Sequence, residues 1–312
     1  MPAAMNRELA VGYALLVGAI ALWSGNAVVA RAAMLAEIPP LAFNFWRWAL
    51  ALVILLPFTA SGVWRQRRLF LEGWRYFAAF GFVAVTLFND LYYTGLQYTT
   101  AVQGSLIMAI LPMLVLILAA VFLSHRITAR QIWGVVLSIA GAATIILRGD
   151  PELFHTFAVN IGDLWCLAAV VVWAVQIIML RWKPAEIDML PFMTVIIAAG
   201  VVFQAPLYLW EHSAGHVFRP DVNALALMLY VALFAAVIGT TMYNSGVIKV
   251  GPTNSGYFGN LYPAFATALA NIFLGEPFEW FHGLGGVLVL TGIFIATFSR
   301  RRAPAQKPEH SP

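Results

Sequence analysis

Apolar runs of about 20 residues, the length of a membrane-spanning helix, recur from one end of this chain to the other. Within lipid every backbone N–H and C=O must be bonded inside the protein, which leaves helices and closed barrels as the only spanning structures. Barrel strands alternate apolar and polar residues. These runs are continuously apolar, so the sequence predicts helices. Of the 312 residues, 62% are hydrophobic and 10% charged, where a soluble domain carries roughly 25% charge. The expected fold is an all-α polytopic membrane protein whose first partner is the lipid bilayer.

The net charge of +4 does not indicate nucleic acid, because the basic residues flank apolar segments rather than forming a domain. They read as topology signals. The single cysteine, Cys166, excludes an intrachain disulfide. The run from Leu9 to Ala33 is longer than the roughly 7–15 residues of a signal-peptide core and is expected to be the first span.

Ten spans are expected, near 9–33, 41–59, 74–97, 101–123, 130–147, 160–182, 190–210, 223–248, 252–274 and 282–299. With the N-terminus inside, one set of loops holds Arg7, Arg65, Arg67, Arg68, Arg75, Arg126, Arg130, Arg181, Lys183, Lys249, Arg300, Arg301, Arg302 and Lys307. The opposite set holds Arg31, Arg148 and Arg219. By the positive-inside rule both termini are expected in the cytoplasm.

The chain also repeats itself. At an offset of 150, Gly12, Ala19, Trp23 and Arg31 meet Gly162, Ala169, Trp173 and Arg181, and Asn26 meets Gln176. At 151, Tyr92, Gly95 and Pro112 meet Tyr243, Gly246 and Pro263, while Gly134 and Gly141 meet Gly285 and Gly292. The expected halves are 1–154 and 155–312. Each holds five helices, an odd number, so the two copies are expected to be inverted. Inverted repeats are the architecture of alternating-access transporters, with the substrate site near the midplane.

The opening Leu22-Trp23-Ser24-Gly25-Asn26, the helix-2 stretch FWRWALALVILL, and the pair ILPMLVLILAAVFL and LYPAFATALANIFLGE resemble the EamA branch of the drug/metabolite transporter superfamily. The resemblance covers nearly the whole chain. It implies ten helices in two five-helix repeats and export of small metabolites, amino acids above all; exporters of aromatic amino acids (YddG type) are the nearest kind. It also implies a bacterial inner membrane. The family usually ends its fourth and ninth helices in Leu-Gly-Glu-Arg. Here the second copy reads Leu274-Gly275-Glu276-Pro277 and the first Leu123-Ser124-His125-Arg126, without the acid.

Asp90 is the acidic residue placed deep within a predicted helix, where a charge costs about 2.5–3.5 kcal/mol on insertion scales and so marks a functional candidate. An ion pair with Arg47, at similar depth in helix 2, is the first expectation; proton coupling through Asp90 or a substrate carboxylate on Arg47 are the others. Trp23, Asn26, Trp173 and Gln176 are expected to line a cavity or bond between helices. So are Asn89, Tyr92 and Tyr93 on helix 3, Tyr243 and Asn244 on helix 8, and Asn254, Tyr257 and Asn260 on one face of helix 9. Amides and amphipathic aromatics suit a weakly polar or zwitterionic small-molecule substrate. Pro112 and Pro263 each remove a helical hydrogen bond and are candidate hinges.

No His-Glu-x-x-His or paired-Asp motif occurs, and the six histidines fall in predicted loops or at helix ends. Neither an enzyme, a metal site nor a cofactor is expected. An uncoupled facilitator or channel and a broad drug or metabolite exporter remain as alternatives to an amino-acid exporter.

Overall fold

The computed structural model describes residues 2–122, 128–150, 160–218, 221–250, 258 and 261–297. Among them the chain is helical and carries no strand. The helices are α1 (Pro2–Leu35), α2 (Pro40–Arg65), α3 (74–98), α4 (101–122), α5 (Ala129–Ile146), α6 (Ile161–Met179), α7 (Met189–Ser213), α8 (222–250), α9 (Leu261–Leu274) and α10 (Trp280–Thr297). A short helix, Arg67–Glu72, joins α2 to α3. Seven of the described helices are long and apolar enough to cross a membrane: α1, α2 and α4 to α8. The expected count of ten is therefore not met on length and hydropathy alone. α9 and α10 are apolar but shorter, and α3 carries Arg75, Asn89, Asp90 and Gln97.

The repeat is visible in the backbone. α3 changes from α to π winding at Phe82–Leu87 and returns to α at Phe88–Tyr98. α8 does the same at Val231–Gly239, before Thr240–Val250. These π segments fall at matching places in the two copies. α4 breaks between Ala101–Met108 and Leu111–Phe122. There Ala109 and Ile110 donate to Leu106 and Ile107 in tight turns, and Met113 donates to Ile110. Pro112, which has no N–H, lies just after the break. Pro263 lies in the first turn of α9 as described, and the stretch before it is outside the described residues.

The largest helix contacts run between the halves: α5 on α10, α2 on α7, α1 on α8 and α9, α6 on α3 and α4. The copies interleave rather than forming separate bodies. Glycines set these approaches. A Cβ on Gly141 would lie 2.6 Å from the Gly285 carbonyl oxygen, and one on Gly292 2.4 Å from that of Gly134. The two contacts are mirror versions of each other across the repeat. Gly95 against Gly162 (α3–α6) and Gly246 against Gly12 (α8–α1) form a second such pair, at 2.9 and 3.1 Å. Small residues let helices approach closely where no hydrophobic force drives them together.

Two helix starts are capped from across the bundle. The exposed N–H groups of a first turn need acceptors, and a carboxylate also suits the positive end of the helix dipole. Glu211 of α7 accepts from Leu41 N and Ala42 N (3.1 and 2.7 Å) at the start of α2. Glu276 accepts from Ala101 N and Val102 N (3.1 and 3.0 Å) at the start of α4. Gly275, at φ +65°, ends α9, with Gly275 N and Glu276 N turned back onto Asn271 O and Ala270 O. That turn delivers Glu276 to α4 and gives the Leu-Gly-Glu sequence a structural purpose.

Gly141→Val is expected to lower the thermal unfolding midpoint of the detergent-purified protein, through overpacking of about 1–3 kcal/mol. Gly283→Ala is the control, because its added Cβ would meet nothing nearer than 3.6 Å. Glu276→Ala should also lower the midpoint, since stranding buried N–H groups costs about 1–3 kcal/mol each.

Candidate functional site

Trp23, Ser24, Gly25 and Asn26 of the opening motif in α1 each touch a different neighbour. Trp23 Nε1 donates to Ala235 O (3.1 Å) in the π segment of α8, and its ring meets Tyr243 at a tilt, with centroids 4.8 Å apart. Ser24 Oγ donates to Tyr262 O of α9 (3.2 Å). Gly25 leaves room for Tyr230, whose hydroxyl would sit 2.4 Å from an added Cβ. Asn26 Oδ1 accepts from Tyr93 of α3 (3.4 Å). The polar residues that interrupt this apolar run tie α1 into the other half of the chain and to α3.

A chain of rings follows from there. Trp173 of α6 lies 5.4 Å from Phe88, Phe88 stacks on Tyr92 at 6.1 Å, and Tyr92 meets Tyr93 at 6.1 Å. The Tyr92 hydroxyl lies 3.2 Å from that of Tyr262. Trp23, Asn26, Asn89, Tyr92, Tyr93, Trp173 and Tyr243 are thus brought into one region around α1, α3, α6 and α8. Gln176 is half-buried one turn from Trp173. Asn254, Tyr257 and Asn260, and the side chain of Asn244, lie outside the described residues. Asn89, Tyr92 and Tyr93 are buried against protein in this conformation and do not line an open chamber.

The expected Arg47–Asp90 ion pair does not form: the three ion pairs among the described residues are Arg31–Glu276, Arg65–Asp188 and Lys249–Glu8. Adjacent residues of α3 point to different partners. Asp90 Oδ1 accepts from Asn44 Nδ2 of α2 and Gln204 Nε2 of α7, each at 2.8 Å. The two amides are oriented by backbone carbonyls that can only accept, Val85 O and Leu41 O (3.1 and 3.3 Å). Arg47 donates instead to Asn89 Oδ1 (3.1 Å), and Asn89 Nδ2 bonds to Ala84 O and Val85 O of the π segment at 3.0 Å. π winding leaves carbonyls available to side chains, and such segments often mark functional sites.

Asp90 is not the only acid inside the bundle. Asp163 is fully buried, its two oxygens accepting from Thr99 Oγ1 (2.5 Å) and Gln103 Nε2 (2.9 Å). Gln103 also donates to Ile145 O (2.9 Å), and its Oε1 lies 3.0 Å from His282 Nε2. His282 Nδ1 accepts from Glu279 N (3.0 Å), so in the neutral ring the proton sits on Nε2 and is donated to Gln103. Beside this network Arg31 Nη1 donates to Leu96 O (2.6 Å), at the end of α3, and Arg31 Nε lies 3.6 Å from Glu276. This polar lock ties together the ends of α1, α3, α4, α6, α9 and α10 at one end of the bundle.

The other end differs. A cavity of about 480 Å³ opens between α2, α7 and α8, lined by Phe58, Thr59, Gly62, Pro191, Thr241 and Ser245, with Arg65 and Asp188 at its mouth. None of the expected binding residues lines it; Thr241 and Ser245, four residues apart, share a face of α8 that Tyr243 between them does not. Asn44, Gln103, Asp163, Gln204, Glu211, Tyr262 and His282 were not anticipated from sequence. The amides carried the same signal as Asp90, a polar side chain within an apolar run; Asp163, Glu211 and His282 stand near helix ends, where water was the expected partner.

Comparison with known proteins accords with this arrangement. The EamA-like transporter family matches residues 10–147 and again 160–298. An uncharacterized transporter of Bacillus subtilis, YetK, is 31% identical over 72% of this chain and 68% of its own length. A protein of Streptantibioticus cattleyicolor, named "Probable terminal-alkyne amino-acid exporter", is 31% identical over 71% of this chain and 73% of its own. One solved crystal structure superposes with a TM-score of 0.59 at 17% identity, covering 94% of this chain and 96% of that one, a likeness of fold. The chain belongs to the EamA-like transporter family and is a multi-pass membrane transporter.

Proposed function

We propose that this transporter exports aromatic and other neutral amino acids, or closely related small metabolites, by alternating access of two inverted repeats. The repeats would comprise 1–154 and 155–312, in a bacterial inner membrane with both termini cytoplasmic. The observation that carries the reading is the pairing of a polar lock at one end with an open cavity at the other, in a chain built of two similar halves. The repeat partners of Thr99, Asp163, His282 and Glu276 are Val250, Tyr13, Gln131 and His125. The repeat partner of Gln103 is Asn254, which like His125 lies outside the described residues; among the described residues the polar lock has no counterpart at the cavity end. Two near-equivalent halves give two states of similar energy, and a lock on one end biases them toward the state open at the other. The charge bias of the loops supports a cytoplasmic side for the cavity, beside Arg65, where an exporter collects its substrate. The buried cluster of Trp23, Asn26, Asn89, Tyr92, Tyr93, Trp173 and Tyr243 offers rings and amides between the two ends. The exporter name carried by the Streptantibioticus relative supports the substrate class.

An uncoupled facilitator is the second reading. It is favoured by the bonding of Asp90, which is held by two amides and whose repeat partner is Thr241. In proteoliposomes, labelled tryptophan, phenylalanine or threonine should enter faster than in protein-free vesicles; entry of none of them contradicts the substrate class. Accumulation driven by a pH gradient and lost in Asp90→Asn would assign coupling to Asp90. Equilibration indifferent to pH would assign facilitation.

A further inference from the structure

The buried acids described above each have two or more hydrogen-bond donors: backbone N–H groups for Glu211 and Glu276, side chains for Asp90 and Asp163. Arg47 is the exception. It is 5% exposed, yet the acceptor it finds among the described residues is one neutral amide oxygen, Asn89 Oδ1. Its Nε is buried with no hydrogen-bond partner, and no described carboxylate lies within ion-pair distance of it. Burying an unpaired charge is strongly unfavourable, and an unsatisfied buried donor calls for an explanation.

The surroundings of Arg47 are those of an anion site lacking its anion. The guanidinium carbon sits 4.5 Å from the Trp48 ring centroid and 5.3 Å from that of Tyr93. Rings against a guanidinium hold it in place and leave its in-plane edge of N–H donors for an acceptor. Among the described residues the Tyr93 hydroxyl makes one long bond, to Asn26 (3.4 Å), so it is loosely held beside the same group. We propose that Arg47 is the anchor for a carboxylate on the transported molecule, bound through paired N–H donors. This rests on the reading of the chain as a transporter of amino acids or related metabolites, and narrows its substrates to carboxylates. One planar guanidinium matches a carboxylate monoanion, whereas a phosphate dianion would call for a second cation, and none of the described ion pairs places one here. Arg47 lies about three helical turns along α2 from Thr59, which lines the cavity; the cleft is the route of entry.

The test needs no transport. Thermal unfolding of the purified protein is followed with 3-indolepropionate, which has a carboxylate and no amine, and with tryptamine, which has an amine and no carboxylate. The wild-type midpoint should rise with the carboxylate, as for any ligand of the folded state, and not with the amine. Arg47→Gln should match or exceed the wild-type midpoint without ligand, because it removes an uncompensated charge, and should need at least tenfold more carboxylate for the same shift. Arg47→Lys should respond weakly to the carboxylate, and it serves as the test should the Gln variant not fold. Equal response to both compounds, no response in the wild type, or an unchanged response in both variants overturns the proposal. A carboxylate response in a protein that moves no amino acid would sink the transport reading and leave the anion site standing. Amino-acid transport with unchanged half-saturation in Arg47→Gln would sink the anion site alone.

Discussion

Every polar group buried in this bundle needs a partner, because lipid supplies none. That requirement organises the structure more than helix propensity does. The π segments of α3 and α8 free carbonyls, and side chains take them up: Asn89 on Ala84 O, and Trp23 with Thr240 on Ala235 O. Ala84 and Ala235 are repeat partners, as are Asn89 and Thr240. The same device has been kept in both halves at the places where α1 and α2 lean on α3 and α8.

The halves are alike in packing and unlike in charge. Reciprocal glycine contacts join α5 to α10, and α3–α6 repeats α8–α1. Among the described residues, the lock of Thr99, Gln103, Asp163 and His282 and the cap by Glu276 occur in one copy. Symmetric packing gives the fold two comparable arrangements; asymmetric polar bonding selects between them. The cleft beside Arg65 and Asp188 lies at the end without the lock.

Much of this was legible in the chain. Continuous apolar runs gave an all-helical membrane fold, and Gly12, Gly95, Gly134 and Gly141 matched their partners across the repeat, at positions where the structure brings α1 against α8, α3 against α6 and α5 against α10. The Trp23 and Tyr92 repeats pointed to the central cluster. What the sequence did not reveal follows from how partners are chosen. Asp90 and Arg47 stand at similar depth, but a turn of helix separates Asn44 from Arg47, and each meets a different residue of α3. Pairing by depth could not see that rotation. Asp163 and Glu211 lie near helix ends, and only tertiary packing covers them. The π winding has no plain mark in Phe82–Leu87 or Val231–Gly239, whose apolar residues would serve an α-helix equally well.

The central claim is that the end carrying the polar lock is shut while the end carrying Arg65 is open. With Cys166 replaced by alanine, single cysteines at Ser245, in the cleft, and Ser105, buried two residues past Gln103 in α4, can be exposed to a membrane-impermeant maleimide from either side of sealed vesicles. Rapid labelling of Ser245→Cys from the Arg65 side, with Ser105→Cys protected from both sides, is the expected result. Labelling of Ser105→Cys from the opposite side, with Ser245→Cys protected, would contradict it.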